Sequence, residues 1–348
     1  MVSFPNPRSR PPYHMHDMIL GQPAYVRETL TRLRTGRAES FLGEPRRLVV
    51  MGCGTSFHAA TYGARVLHRS LGTRTVVEAV HAYDLLHGVA IENGSTVLGV
   101  SHSGNTPTTN RALAVARRSG GEALALCGLP SSPMEEAADR TLVIGSTHDH
   151  SWANTMSYTS QLAAFAWLAG HARGEVLADL GILPGRIEKA LGCEDTVKRV
   201  ARRVAVRERV TFLGSGLDDI TALEAALKIR ETCSLPASGY HTEQFLHGPF
   251  LSLDRGESVV ALRSRDDGDR SMEILRGLAK TGANITTVGD AKGVDVPVPR
   301  IDRILRPVLS IIPMQFLAYH AALGRNADPD IMRSDVPRYR AGLETLFH

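Results

Sequence analysis

Along the chain, short runs of β-branched and other apolar residues alternate with longer stretches whose apolar positions recur at helical spacing. The short runs predict strands at Leu48–Met51, Thr75–Ala79, Thr96–Val100, Ala123–Cys127 and Thr141–Ile144. The longer stretches predict helices around Phe57–Leu71, Thr108–Arg118 and Pro133–Ala138, with a long helix, Ser157–His171, closing this half. Strands that are apolar throughout are buried on both faces, so the pattern predicts a parallel sheet between helical layers. Ahead of it, Pro5, Pro7, Pro11 and Pro12 predict an irregular arm. Apolar positions from Met15 to Leu33 then predict a helix–turn–helix lead-in, broken at Gln22-Pro23.

The pattern restarts at Arg209–Gly216, which repeats the design of Arg47–Gly54: a strand, then Gly-x-Gly, then the opening of a helix. Strands are predicted at Ser258–Leu262, Ile285–Val288 and Val294–Val298, and helices at Ile220–Thr232, Arg270–Thr281 and Val308–Leu323. Two copies of one α/β unit are the economical architecture. The expected organisation is a lead-in over residues 1–45, sheet domains over 46–190 and 191–330, and a tail over 331–348, with the junction within 180–200.

Two loops carry candidate chemistry. In Gly52–Ser56, two glycines let the backbone turn sharply beside a helix start, and Thr55 and Ser56 add hydroxyls. Alone this is weak, because many strand–helix turns need glycine merely to turn. Ser101–Thr106 places three hydroxyls (Ser101, Ser103, Thr106) around a glycine, a compact anion cradle. Both loops follow strands of one sheet, where open α/β folds bind their ligands. Together they point to phosphate. No G-x-x-x-x-G-K-[ST] occurs and the first loop lacks the third glycine of G-x-G-x-x-G, which disfavours nucleotide binding.

A third constellation is Glu224, Lys228 and Glu231, at i, i+4 and i+7 on one helix face, with His247 sixteen positions later. For Glu224 and Lys228, spacing leaves open both a solvated ion-pair face and a functional cluster. Glu231, at the helix end, and His247 would supply a carboxyl and an imidazole for proton transfer at neutral pH.

Composition changes this picture little. The 348 residues are 43% hydrophobic and 22% charged, in the soluble globular range. No window offers about 18 uninterrupted apolar residues, and the N-terminal residues lack the apolar run of a secretory signal, so no membrane partner is expected and the cytoplasm is the expected location. Net charge is +4, from arginines scattered along the chain; this suits small anionic substrates and gives no concentrated nucleic-acid-binding element. Cys53, Cys127, Cys193 and Cys233 form no CxxC pair and are expected to be free thiols.

Gly52–Ser56, Ser101–Thr106, Ala222–Glu231 and Glu243–Pro249, with Met18–Pro23 and Pro313–Leu323, resemble the double sugar-isomerase (SIS) family, in particular the isomerase portion of glucosamine-6-phosphate synthase. The resemblance runs from about residue 15 to about residue 330. It implies two flavodoxin-like SIS domains, a homodimer with sites shared between subunits, and neither cofactor nor metal. It assigns Cys53, Gly54, Thr55, Ser56, Ser101, His102, Ser103, Thr106, Asn154, Thr155 and Lys228 to binding the anionic sugar. Glu231 would move a proton between C1 and C2, and His247, from the neighbouring subunit, would assist ring opening.

Three departures bear on activity. No glutaminase segment precedes the resemblance, so glutamine is not the expected nitrogen donor. The tail lysine that forms an imine in the synthase would fall near Pro337 or Gly342, and no lysine follows Lys292. Thr147–Thr155 replaces a small sugar-lining segment; Asp149 and Thr155 can stand for its acidic and hydroxyl positions, while Trp152 and Asn154 alter its shape. His148-x-His150 admits a metal site that the family does without. The implied activity is deamination or deglycation of an amino-sugar phosphate, or ketose–aldose isomerisation; a non-catalytic sugar-phosphate sensor and an unusual, such as sulfonated, sugar are the rivals.

Overall fold

The computed structural model describes residues 6–36, 38–72, 75–172, 174 and 177–346. Pro5 of the proline-rich arm lies outside the described residues. The first half runs α1 (His14–Thr35), β1 (Arg47–Gly52), α2 (Thr55–Leu71), β2 (Val76–His81), α3 (Ala82–His87), β3 (Thr96–Ser101), α4 (Pro107–Arg118), β4 (Glu122–Cys127), α5 (Pro133–Ala137), β5 (Arg140–Val143) and α6 (Met156–Ala172). Two connecting helices follow, α7 (Leu183–Leu191) and α8 (Glu194–Val204). The second half runs β6 (Arg209–Gly214), α9 (Asp218–Cys233), β7 (Ala237–His241), α10 (Thr242–Phe245), β8 (Glu257–Arg263), α11 (Gly268–Ala279), β9 (Asn284–Gly289), β10 (Val296–Pro297), α12 (Arg306–Gly324) and α13 (Pro337–Leu346).

Each half builds a five-stranded parallel sheet, in the orders β2-β1-β3-β4-β5 and β10-β9-β8-β6-β7. Numbered within its own half, each order is 2-1-3-4-5, the doubly wound arrangement whose ligand crevice opens where the first and third strands diverge. The repeat extends to single residues. A side chain at Gly52 would press on the backbone of Ser56, and one at Gly214 on the backbone of Asp218, so both turns need glycine to bring the next helix close. The fold class expected from the sequence is the one observed.

The two sheets share one hydrophobic core, running from Met15 and Val50 through Phe165 to Phe212, Leu309 and Phe316. α6 is buried along nearly its whole length, as a helix apolar on all sides must be. Among the described residues one helix, α12, is long and apolar enough to cross a membrane; here it is largely buried inside the protein, packed on α8 and α9.

The expected break at Gln22-Pro23 does not occur: α1 is continuous through it. Pro23 has no N–H for the carbonyl of Ile19, and the buried Gln22 side chain substitutes, its Nε2 donating to Ile19 O at 2.9 Å and to Gln315 Oε1 at 2.9 Å.

Candidate active site

Gly54, at φ +54°, turns the chain out of β1 so that Thr55 begins α2. The Thr55 hydroxyl is buried against α9, donating to Glu224 Oε1 at 3.0 Å and accepting from Lys228 Nζ at 3.0 Å. Ser56 Oγ accepts from Gln161 Nε2 at 3.1 Å. Cys53 Sγ accepts from Thr109 Oγ1 at 3.7 Å, and burial raises its thiol pKa, which makes it a poor nucleophile. The second loop leaves β3 at the adjacent position of the sheet. Ser101 Oγ accepts from the Gly104 N–H at 3.1 Å and lies 3.2 Å from Thr106 Oγ1, and Ser103 Oγ accepts from the Asn105 N–H at 3.2 Å. The hydroxyl loops therefore flank the switch point of the first sheet.

The corresponding point of the second sheet is filled. Arg306 reaches it with Nε 2.8 Å from Asp218 Oδ2 and Nη1 2.5 Å from Ser264 Oγ. A guanidinium of the chain itself occupies that crevice, and the two halves are not equivalent.

On α9 the charged face predicted from spacing is interior. Lys228 is fully buried, 2.7 Å from Glu231 Oε2 and 3.2 Å from Glu224 Oε1, and donates also to the Ala153 carbonyl. Glu224 is held from its other side by His58 Nδ1 at 2.6 Å. Burial alone would raise the Glu224 pKa, but Lys228 and His58 outweigh it and hold the carboxyl below its ordinary value. Burial likewise opposes charge on Lys228, and the two carboxylates outweigh it, raising the ammonium pKa. At Glu231 burial outweighs the contact with Lys228 and, with Glu224 nearby, pushes the pKa up. Two carboxyls around one ammonium are thus driven apart, one fixed as the anion and one left to exchange a proton.

Glu231 lines a cavity of about 460 Å³ together with Arg230, Leu235, Arg333 and, from α13, Arg338 and Leu343. His247 stands apart from this cluster. It is exposed in the turn after α10, and among the described residues no hydrogen bond or ion pair joins it to Glu231.

Other candidates are placed differently from the expectation. The side chain of His102 faces neither solvent nor the hydroxyl cradle: it is buried, its Nε2 accepts from the Asp149 N–H at 3.2 Å, and its ring lies so close to Gly128 that a side chain there would collide. Desolvation lowers its pKa, which keeps it neutral. Asp149 spends its carboxylate on Ser151 and Ser157 at the start of α6. Asn154 adopts φ +52° and donates to Trp152 O at 2.8 Å. Thr155 is fully buried with Oγ1 unpartnered, its carbonyl accepting from Gln315 Nε2 at 3.1 Å. Among the described residues no three His, Cys, Asp or Glu side chains are arranged to hold a metal ion. Sequence reasoning missed His58 and Gln161; His58 follows Thr55 by three residues on α2 and so shares its face, a signal that was available.

The SIS-domain family model matches residues 41–170 and 204–323. The chain is 28% identical to a glutamine–fructose-6-phosphate aminotransferase of Zymomonas mobilis, over 92% of this chain and 58% of that protein. It is 30% identical to the Gloeobacter violaceus protein of the same name, over 90% of this chain and 56% of that one. It therefore spans little more than half the length of these relatives. The C-terminal domain of the Francisella tularensis glucosamine-fructose-6-phosphate aminotransferase superposes with a TM-score of 0.83 at 21% identity, covering 92% of this chain and 98% of that one. A glucosamine-6-phosphate deaminase from Thermotoga maritima superposes with a TM-score of 0.79 at 20% identity, covering 91% and 96%. With the doubled 2-1-3-4-5 sheet and two matched segments, the chain belongs to the SIS-domain family, homologous to one part of the glutamine–fructose-6-phosphate aminotransferases.

Proposed function

We propose that this protein is a cytoplasmic, homodimeric phosphosugar enzyme that deaminates or deglycates an amino-sugar phosphate through a C1–C2 proton shuttle. One observation carries the reading: Glu231 is a partly buried carboxyl with a raised pKa, 2.7 Å from a buried lysine and open to a cavity. Such a group suits general acid–base work near neutral pH.

In this reading the hydroxyls of Ser56, Ser101, Ser103 and Thr106 at the N-terminal end of α2 and the turn after β3 hold the phosphate, while Thr55, whose hydroxyl is taken by Glu224 and Lys228, ties that turn to α9. Lys228, which has no exposed surface, acts on the site through Glu231, whose carboxyl it contacts at 2.7 Å. The imidazole of His247, supplied by the second subunit, protonates the ring oxygen as the ring opens. Glu231, as carboxylate, removes the hydrogen from one of C1 and C2 and returns it to the other. For a nitrogen-bearing sugar this converts the amine into an imine; water adds to the imine carbon, and the C–N bond breaks with release of ammonia or an amine. With oxygen in place of nitrogen, the same transfer ends at ketose–aldose isomerisation, and product analysis separates the two outcomes. α13 contains no lysine, so in this reading that helix forms no imine with the sugar.

The test is turnover of glucosamine 6-phosphate and 1-amino-1-deoxyfructose 6-phosphates, measured as amine release and new carbonyl product. Glu231→Gln is expected to lower turnover by about 10²–10⁴-fold, the range of a lost general base. The acid limb of the wild-type kcat/KM profile is expected above pH 4.5, since the folded carboxyl is raised from that value. Unchanged turnover in Glu231→Gln refutes the reading.

A further inference from the structure

His102 stands inside the hydroxyl loop after β3, yet its side chain leaves that loop for another segment. Its backbone is pinned at the end of β4, where the Gly128 N–H donates to Ser101 O at 3.2 Å and to His102 O at 3.0 Å. The ring lies against Gly128, where a side chain would come within 2.0 Å of Nδ1, and Nε2 accepts from the Asp149 N–H at 3.2 Å. An imidazole nitrogen accepts only in the neutral ring, so the proton sits on Nδ1. From Asp149 a buried series of hydrogen bonds runs on. Asp149 Oδ1 accepts from the Ser151 N–H at 3.3 Å, Ser151 Oγ accepts from the Ala153 N–H at 3.3 Å, and the Ala153 carbonyl accepts from Lys228 Nζ. Lys228 in turn meets Glu231 at 2.7 Å. The segment is fastened from its sides as well: Asp149 Oδ2 accepts from Ser157 Oγ at 3.0 Å, and the Trp152 N–H donates to Asp330 O at 3.4 Å. Residues 149–153 thus form a strut with the anion loop at one end and the proposed base at the other.

We propose that His102 is a positioning residue: its neutral imidazole, acting through residues 149–153 and Lys228, sets where Glu231 stands relative to the loop that holds the phosphate. A sugar phosphate spans a fixed length, so a base at one end works only if its distance from the anion site at the other end is fixed too. The strut is a contiguous chain of buried contacts that can hold this distance. A shorter route competes with it, since the Thr55 hydroxyl touches both Glu224 and Lys228, but that route starts from the other loop, beside Ser56. The proposal deepens the proposed function and rests on its placing of the phosphate on the hydroxyl loops.

The test uses sulfate as the probe of the anion loop and the Lys228 ammonium as the reporter at the base. Lys228 has no exposed surface, whereas Lys189, Lys198, Lys280 and Lys292 are exposed, so in ¹⁵N-lysine-labelled protein the Lys228 ammonium is the slowly exchanging one. Saturating sulfate is expected to shift that NMR signal in the wild-type protein. His102→Gln keeps an oxygen that accepts from the Asp149 N–H and is expected to retain the shift. His102→Leu fills similar space without an acceptor and is expected to lose most of the shift while still binding sulfate by calorimetry. Ser151→Ala breaks the strut further along, leaves His102 in place and is expected to give the same loss; it decides the matter if His102→Leu does not fold. The proposal is overturned by a wild-type signal that ignores sulfate, by a shift that survives His102→Leu or Ser151→Ala, which would assign the coupling to Thr55, by a His102→Gln protein that loses the shift, or by a loss that merely follows failure to bind sulfate. Because no turnover is read, the two readings fail separately. A shift blind to His102 alongside a dead Glu231→Gln enzyme removes only the strut; an intact, His102-dependent shift alongside an active Glu231→Gln enzyme removes only the base.

Discussion

Glu231 gains its character from a contest with Glu224 for one lysine. Lys228 cannot reach water, so its charge persists only because two carboxylates flank it; Glu224, with Thr55 and His58 as further partners, is the one fixed as the anion. Removing the lysine strands that anion. Lys228→Met is therefore expected to destabilise the fold by about 3–5 kcal/mol, the cost of leaving a buried charge unpaired. Adding Glu224→Gln to Lys228→Met is expected to recover part of the loss, because the stranded charge is removed as well. Urea denaturation of the single and double variants measures both. Failure of the second replacement to recover stability would mean that Glu224 is not the uncompensated group. The i, i+4, i+7 spacing of these residues was plain in the sequence, but their burial was not. A helical face of charges looks the same whether it meets solvent or, as here, the Thr55 turn and the Ala153 carbonyl.

Elements with strong periodicity were readable, and those fixed by packing were not. β1 stands out as an unbroken apolar run before Gly-x-Gly, and β6 as one interrupted only by Thr211. β7 does not: Ala237–His241 is short and polar, and it forms because Gly239 lets the backbone of α9 approach, where a side chain would come within 2.5 Å of Ala222 O. The helices α7 and most of α8 fall in the stretch expected to hold the junction between the halves, and α13 in the expected tail. The opposite error occurred at Pro23, where a breaker was taken at face value. One side chain reverses it, and Gln22→Ala is accordingly expected to cost about 1–3 kcal/mol, since it leaves the Ile19 carbonyl without its donor. Restoring a backbone N–H with Pro23→Ala in the same chain is expected to return part of that stability in a denaturant titration. Additive losses would show that the Gln22 amide acts only through Gln315.

At the scale of the whole molecule, a duplicated unit has become two unlike halves around a shared core. The first sheet sets hydroxyl-bearing loops on either side of its switch point, whereas the second places the Arg306–Asp218 pair at its own. The repeat was legible because both halves keep the strand–glycine–helix signature; the asymmetry was not, because Arg306 lies 88 residues from Asp218 along the chain. The cavity beside Glu231 was invisible for the same reason, since its walls come from α9 and from α13. His247 likewise sits where its own chain does not bring it to Glu231, which is why a second subunit enters the proposed mechanism. Hydrogen exchange at carbon is the most direct probe of the proton shuttle. In D₂O, NMR of an amino-sugar 6-phosphate incubated with the wild-type protein is expected to show deuterium entering at C1 or C2, and Glu231→Gln is expected to abolish that entry while the protein stays folded. Deuterium appearing at the same rate in both proteins, or at neither carbon during wild-type turnover, would contradict the role given to Glu231.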